Sequence, residues 1–203
     1  RPEYNGAQDY DYIFRCTEMA GKIVHIPRVL YHWRVHSAST ADNPASKLYA
    51  YEAGKKAIEG NLARCGEEGT VTLRSDYGFY DVDYKLQGTP LVSILIPNKD
   101  QADTLRTCLE SIKKKCMYPS YEILIIENNS TEEATFSYYK ELEAQGIRVL
   151  KYPKQGFNYS AINNFGVKEA KGEYLLFLNN DMEIITPDFM EKMVSNLQRP
   201  QIG

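Results

Sequence analysis

The sequence predicts an α/β protein: a mostly parallel sheet with flanking helices, preceded by a helix and β-hairpin unit. Three observations carry this. From Leu91 onward, four short apolar, β-branched runs recur, each followed by a segment with helical or turn character. That alternation implies right-handed crossovers and parallel pairing. The chain has 203 residues, 43% hydrophobic and 25% charged, which suffices for one real core or two small units. The first ninety residues do not share the rhythm.

The elements follow in order. GAQDYDYIFRCTEMAG reads as a helix, with Ile13, Cys16 and Ala20 on one side and Gly21 as its stop. KIVHIP reads as a short strand, and YHWRVHSAST as a polar-aromatic tail. His32 and His36 are four apart, but in a strand or coil context that spacing does not make a metal pair. Residues 44–66 form a second helix ending at Gly66, and 70–86 a hairpin turning at Ser75–Gly78. Residues 87–90 are a joint. LVSILI (91–96) is the first strand of the parallel sheet. Leu105, Cys108, Leu109 and Ile112 then mark a helix with three lysines in its last turns, where cations suit the dipole. YEILII (121–126) is the second strand. Ser130 and Glu133 form a capping box for the following helix, which Gly146 ends. IRVLKY (147–152) is the third strand, and NYSAINNFGVKEAK a helix running to Gly172. EYLLFL (173–178) is the fourth strand, and Thr186-Pro187 opens the last helix.

Composition narrows the function classes. A net charge of −3 argues against a nucleic-acid-binding surface. No apolar run approaches the roughly 18 residues needed to cross a bilayer, and the polar start shows no signal peptide. The expected location is the cytoplasm, at the inner membrane face at most. Four widely spaced cysteines without a C-x-x-C pair point to free thiols. No phosphate-binding glycine motif follows the first strand, so neither a P-loop ATPase nor a dinucleotide dehydrogenase is supported.

The strand ends are more informative. Ligands of open parallel sheets bind beyond the carboxyl ends of the strands. Pro97-Asn98 follows the first strand, Glu127-Asn128-Asn129-Ser130 the second, and Asn179-Asn180-Asp181 the fourth. These residues suit a nucleoside diphosphate. Glu127 or Asn128 matches the imide edge of a pyrimidine, Asn180 a ribose, and the Asp181 carboxylate a hard divalent cation completed by diphosphate oxygens. A simple Asn/Asp turn is the bland alternative at 179–181.

Four segments in order, VSILIPNKD, YEILIIENNS, NYSAINNFGVKEAKGEYLLFLNND and ITPDFMEKMV, resemble the nucleotide-binding half of family-2 inverting glycosyltransferases with the GT-A fold. The resemblance covers residues 91–203. It implies donor contacts from Pro97, Asn98, Asp100, Glu127, Asn128, Ser130, Asn163, Asn164, Asn180 and Asp181, with Asp181 holding Mn2+ or Mg2+. Asn179 stands where the family's D-x-D motif has its first Asp, and Asn128 replaces an Asp in the base-binding segment. The variant with Asn at the first position resembles enzymes using rhamnose or related deoxysugar donors. Residues 5–40 resemble the end of such a domain, with Asp9 at the position of the catalytic base. The implied organisation is a tail of an upstream transferase domain (1–40), an inter-domain helix and hairpin (41–90), and the front half of a second domain (91–203). The implied partners are a nucleoside-diphosphate sugar and a cell-surface glycan acceptor. An open sheet edge predicts self-association, or docking of residues 1–36 on the half-domain. The alternative function is a non-catalytic nucleotide-sugar or glycan-binding module, or a scaffold.

Overall fold

The computed structural model describes residues 1–32, 47–200 and 202. The chain divides into two compact units, Arg1–Lys85 and Leu86–Gly203.

The second unit is the α/β body that the alternating pattern predicts. Its sheet contains β3 (Val92–Asn98), β4 (Tyr121–Glu127), β5 (Arg148–Lys151) and β6 (Tyr174–Phe177), in the order β5-β4-β3-β6. All three pairings are parallel. Val92 lies opposite Tyr121 and Tyr174, and Leu124 opposite Arg148. Because side chains alternate across a strand, the central strands feed two cores. Ile94, Ile96, Ile123 and Ile125 face α3 (Ala102–Lys115), α4 (Glu133–Ala144) and α6 (Phe189–Leu197), packing with Leu105, Leu109, Leu142 and Met190. Leu95, Leu124 and Ile126 pack with Ile162 and Phe165 of α5 (Tyr159–Val167). A Cβ on Gly166 would strike the Ile126 side chain, so that glycine sets how closely α5 lies on β4. On β6, Leu175 and Phe177 stay partly exposed, at 37% and 47%.

The first unit packs α1 (Gln8–Met19) and α2 (Leu48–Cys65) with the antiparallel hairpin of β1 (Gly69–Leu73) and β2 (Tyr80–Tyr84). Ile58, Leu62 and Val71 form its small core, with Phe14, Tyr80 and Val82 against them. Gly66 ends α2 in the left-handed conformation at φ 70°, and Glu67 N–H reaches back to Leu62 O. Asp11 is 2% exposed. Its Oδ2 accepts from Arg15 Nε at 3.0 Å, and its Oδ1 lies 3.7 Å from Arg1 and 4.0 Å from Arg64.

Three readings need correction. KIVHIP is not a strand: residues 22–27 pair with no strand among the described residues, and Ile23, Val24 and Ile26 stay exposed. Its β-branched composition fits a strand, but a strand also needs a partner edge. The helix at 159 stops at Val167, not Gly172, where Glu169 N–H donates to Gly166 O and Ala170 N–H also to Val167 O, three-residue bonds that tighten the end into turns. Gly172 instead lets the chain approach Ser93 N at the start of β3. Finally, Ser130 and Glu133 form no capping box. The N-cap of α4 is Glu132, and a carboxylate from another loop supplies the capping.

Candidate functional site

The strand order reverses beside β3: the chain steps from β3 through β4 to β5 on one side, then returns to β6 on the other. Such a reversal leaves a crevice at the carboxyl ends. Asn98, the last residue of β3 and 2% exposed, sits at this point. Its Oδ1 accepts from Asn180 Nδ2 at 2.7 Å. Its Nδ2 donates to Asp100 O at 2.9 Å and to the Tyr139 hydroxyl at 2.8 Å, and its carbonyl accepts from Asn128 N. One residue, through its side-chain amide and its backbone carbonyl, thus joins the ends of β3, β4 and β6. Burial pushes the Tyr139 hydroxyl above its ordinary pKa, so it stays a neutral partner.

The β3–α3 turn is strained and held. Asp100 and Gln101 are both left-handed, at φ 53° and 57°, a costly pair for residues with a Cβ. The Asp100 N–H donates to Ser130 Oγ, and its carboxylate accepts from Thr131 N at 2.7 Å and Glu132 N at 2.9 Å. Those two backbone donors hold the Asp100 carboxyl below the usual carboxylate range. They also satisfy the start of α4 in place of a local cap. Ser130 N–H in turn donates to Glu127 Oε1 at 2.6 Å. Strain of this kind persists where the surroundings over-determine it, and such places cluster at functional sites.

Pro97, Asn98, Asp100, Glu127, Asn128, Ser130 and Asn180 therefore gather on one rim. Asp181 follows Asn180 directly and is exposed, with no described hydrogen bond or ion pair at its carboxylate. Asn163 and Asn164 lie on α5. Asn163 is buried with its Nδ2 donating to Tyr159 O, and Asn164 is exposed. Asp9 belongs to the other unit, exposed at the start of α1. Trp33, Arg34 and His36 lie outside the described residues.

Four side-chain oxygens of this unit, Asn128 Oδ1, Asn163 Oδ1, Thr135 Oγ1 and Glu191 Oε2, are buried without a hydrogen-bond partner among the described residues, and Asn128 Oδ1 is the one at the rim. An unmet buried acceptor costs about 1–3 kcal/mol, so each instance calls for a reason such as a ligand. Among the described residues no three His, Cys, Asp or Glu side chains cluster as a complete metal shell. Asp181 still suits Mg2+ or Mn2+ in a phosphate site, where one or two carboxylates suffice because substrate oxygens and waters complete the shell. Burial pushes the Cys108 thiol up to about 11, and its Sγ sits 3.8 Å from Asn179 O.

Sequence reasoning missed Asn129. Its φ is 57°, and its side chain spans two atoms of the next loop, donating to Lys154 O at 3.2 Å and accepting from Gly156 N at 3.0 Å. The clue was Asn's tolerance of the left-handed region, but the partners lie 25 and 27 residues away. This loop leads into α5, which Asn158 caps by accepting from Ala161 N.

Comparison with known proteins bears on this geometry. The family model described as "Glycosyl transferase family 2" matches residues 93–202. The O-antigen biosynthesis protein RfbC of Myxococcus xanthus is 41% identical over 203 residues, covering all of this chain and 16% of that protein. An uncharacterised protein, y4gI, of Sinorhizobium fredii is 40% identical, covering all of this chain and 23% of its own length. The chain thus spans less than a quarter of these two relatives. Among solved structures, a mannosyltransferase from Pyrobaculum calidifontis in complex with GDP-Man and Mn2+ superposes with a TM-score of 0.50. It is 17% identical, over 76% of this chain and 43% of that one, which establishes likeness of fold.

Proposed function

The chain belongs to glycosyl transferase family 2, and from that premise we propose that its second unit binds a nucleoside-diphosphate sugar at the strand-end rim and serves an inverting, metal-assisted transfer to a surface polysaccharide. The observation that carries the reading is the Asn98–Asn180 bond at the point of strand reversal. It draws Asn180-Asp181 to the same rim as Glu127 and Asn128.

Each residue then has a task. The buried Asn128 Oδ1 accepts an imide N–H of the base, which relieves an unmet acceptor. Asn180, fixed by Asn98, faces the ribose. Asp181 is the residue that would hold Mn2+ or Mg2+, whose charge stabilises the leaving diphosphate. Asn179 is neutral, so Asp181 alone brings protein charge to such an ion. A rhamnose-type donor is the substrate we favour, on the Asn at position 179.

An inverting transfer also needs a carboxylate to take the proton from the acceptor hydroxyl. We assign Asp9 to that task in a different transferase domain, of which residues 1–40 are the tail. In that organisation residues 41–90 join the two domains. The exposed Ile23, Val24, Val29 and Leu30 support this, as a face that the rest of such a domain would cover.

The test is calorimetric titration of the chain with UDP, GDP and dTDP, each with Mn2+ or Mg2+. Saturable, metal-dependent binding is expected for one of them. Asp181→Asn should weaken it by about tenfold or more, the loss of one desolvated charge contact. Absence of heat with every nucleotide overturns the reading and leaves a scaffold.

A further inference from the structure

Residues 178–187 carry Asp181 between β6 and α6, and they form no helix or strand of their own. What fixes them comes from elsewhere in the unit. Leu178 and Ile184 are buried in the core, on either side of Asp181. Leu178 N–H donates to Leu95 O, Met117 N–H donates to Pro187 O, and Asn180 is tied to Asn98.

The remaining ties come from one side of α3. Cys108, Ser111 and Lys115 are spaced by three and four residues, so they fall on one stripe of the helix. The Cys108 thiol donates to Asn179 O at 3.8 Å and accepts from Met182 N–H. Ser111 Oγ accepts from Ile184 N–H at 2.9 Å and donates its own hydrogen to Cys108 O at 2.7 Å. Lys115 Nζ donates to Glu183 Oε1 at 3.2 Å. The stripe thus meets the backbone on both sides of Asp181.

The two buried members suit this task. Cys108 is 1% exposed and Ser111 is 5% exposed. A mid-helix serine commonly turns its hydroxyl back onto its own helix. Here the hydrogen does so, and a lone pair is left for the loop. Alanine at both positions would leave the stripe apolar and the amides of residues 182 and 184 without these acceptors. Lys115 and Glu183 are both well exposed, and such a pair contributes little.

We infer that Cys108 and Ser111 are positioning residues for Asp181: through the backbone of residues 179, 182 and 184, they hold its carboxylate where a divalent cation and a diphosphate meet. The inference rests on the donor reading. It assigns part of the cation affinity to a helix that supplies none of the rim residues. An aspartate on a loose loop must be ordered when the ion binds, and that cost is taken from affinity. A carboxylate already fixed avoids it. Loss of a group that orients a metal ligand lowers affinity by about 10–100-fold.

The test repeats the calorimetric titration on Ser111→Ala and Cys108→Ala, with UDP, GDP and dTDP, each in Mn2+, in Mg2+ and in EDTA. The quantity read is the gain in affinity that the cation gives over EDTA. Ser111→Ala should cut this gain about tenfold and leave the affinity in EDTA unchanged. Cys108→Ala should cut it about threefold, because a thiol is the weaker hydrogen-bonding group. Hydrogen exchange at Ile184 N–H should speed up in Ser111→Ala, while the amides of β3 and β4 stay protected. Equal losses with and without cation would mean a general packing role and overturn the inference. A gain that survives both substitutions would overturn it too, and leave the donor reading standing. If Ser111→Ala does not fold, Cys108→Ala decides. A parent chain whose nucleotide binding gains nothing from either cation overturns the donor reading and this inference together.

Discussion

Each unit buries a polar cluster, and the two are built on opposite principles. In the first, the Asp11 carboxylate sits among three guanidiniums, those of Arg1, Arg15 and Arg64. Charge is matched by charge, although Asp11 Oδ1 accepts no hydrogen bond and is met only by the guanidiniums at 3.7 and 4.0 Å. In the second, the buried hub is a set of neutral amides, Asn98, Asn128 and Asn180, with Glu127 and Asp100 turned onto backbone donors. Two of the unit's amide carbonyls remain unmet. Closed charge clusters hold elements together, whereas a neutral cluster with spare acceptors is poised for a partner. On the reading proposed above, the difference also sets where damage should appear: losing Asp11 should disturb folding, and losing a rim residue should disturb binding.

The largest effect should come from Asp11→Ala. Truncation leaves three arginines facing an empty site, but Arg1 and Arg15 are partly exposed and turn to water. We therefore expect a loss of about 2 kcal/mol, near the value of hydrogen bonds to charged groups, not the larger cost of a fully buried pair. Hydrogen exchange should show the loss in α1 and α2, with the sheet of the second unit as protected as before. Equal loss of protection in β3 and β4 would break the contrast drawn above.

Asn129→Gly sharpens it from the other side. Glycine accepts the φ of 57° at no steric cost, so the substitution removes only the two hydrogen bonds to Lys154 O and Gly156 N. The site is partly exposed, and stability should hardly change. Exchange at Gly156 N–H should speed up, and nucleoside-diphosphate affinity should fall about fivefold, equivalent to roughly 1 kcal/mol of ordering moved into the binding step. A variant that binds as tightly as the parent would make Asn129 a loop residue without a role in the site.

Much of this was legible in the chain itself, for physical reasons that also explain the failures. LVSILI and YEILII read as strands because both of their faces are apolar, and the structure buries both. Residues at strand ends stood out because polar side chains after such runs have few structural uses. Capping did not read correctly. Ser130 has the right chemistry, but Asp100, thirty-one and thirty-two residues before its partners' positions, reaches those N–H groups instead. Tyr139 carried no signal in the sequence, and only the fold puts its hydroxyl against Asn98. KIVHIP failed for the same reason in reverse, since strand composition with no partner edge among the described residues leaves extended chain.

The smallest effect is a pH dependence confined to the first unit. Glu18 accepts from Arg64 Nε at 2.8 Å and Nη2 at 2.8 Å, and from Asn61 Nδ2 at 2.7 Å, tying α1 to α2. The Arg64 guanidinium, with Asn61 beside it, holds the Glu18 carboxyl down at about 2, against an ordinary value of 4.5. Above 4.5 the group is ionised whether folded or not, and its contribution is complete. Between 4.5 and about 2 the unfolded chain takes up a proton that the folded one refuses, so the contribution drains away as the pH falls. Exchange protection in α1 and α2 should therefore weaken across that window, and Glu18→Gln should remove this part of the acid sensitivity while leaving the rest. An unchanged acid profile in the glutamine variant would show that the fork between Glu18 and Arg64 stays too well hydrated to bear on stability, leaving Asp11 as the tie that joins the two helices.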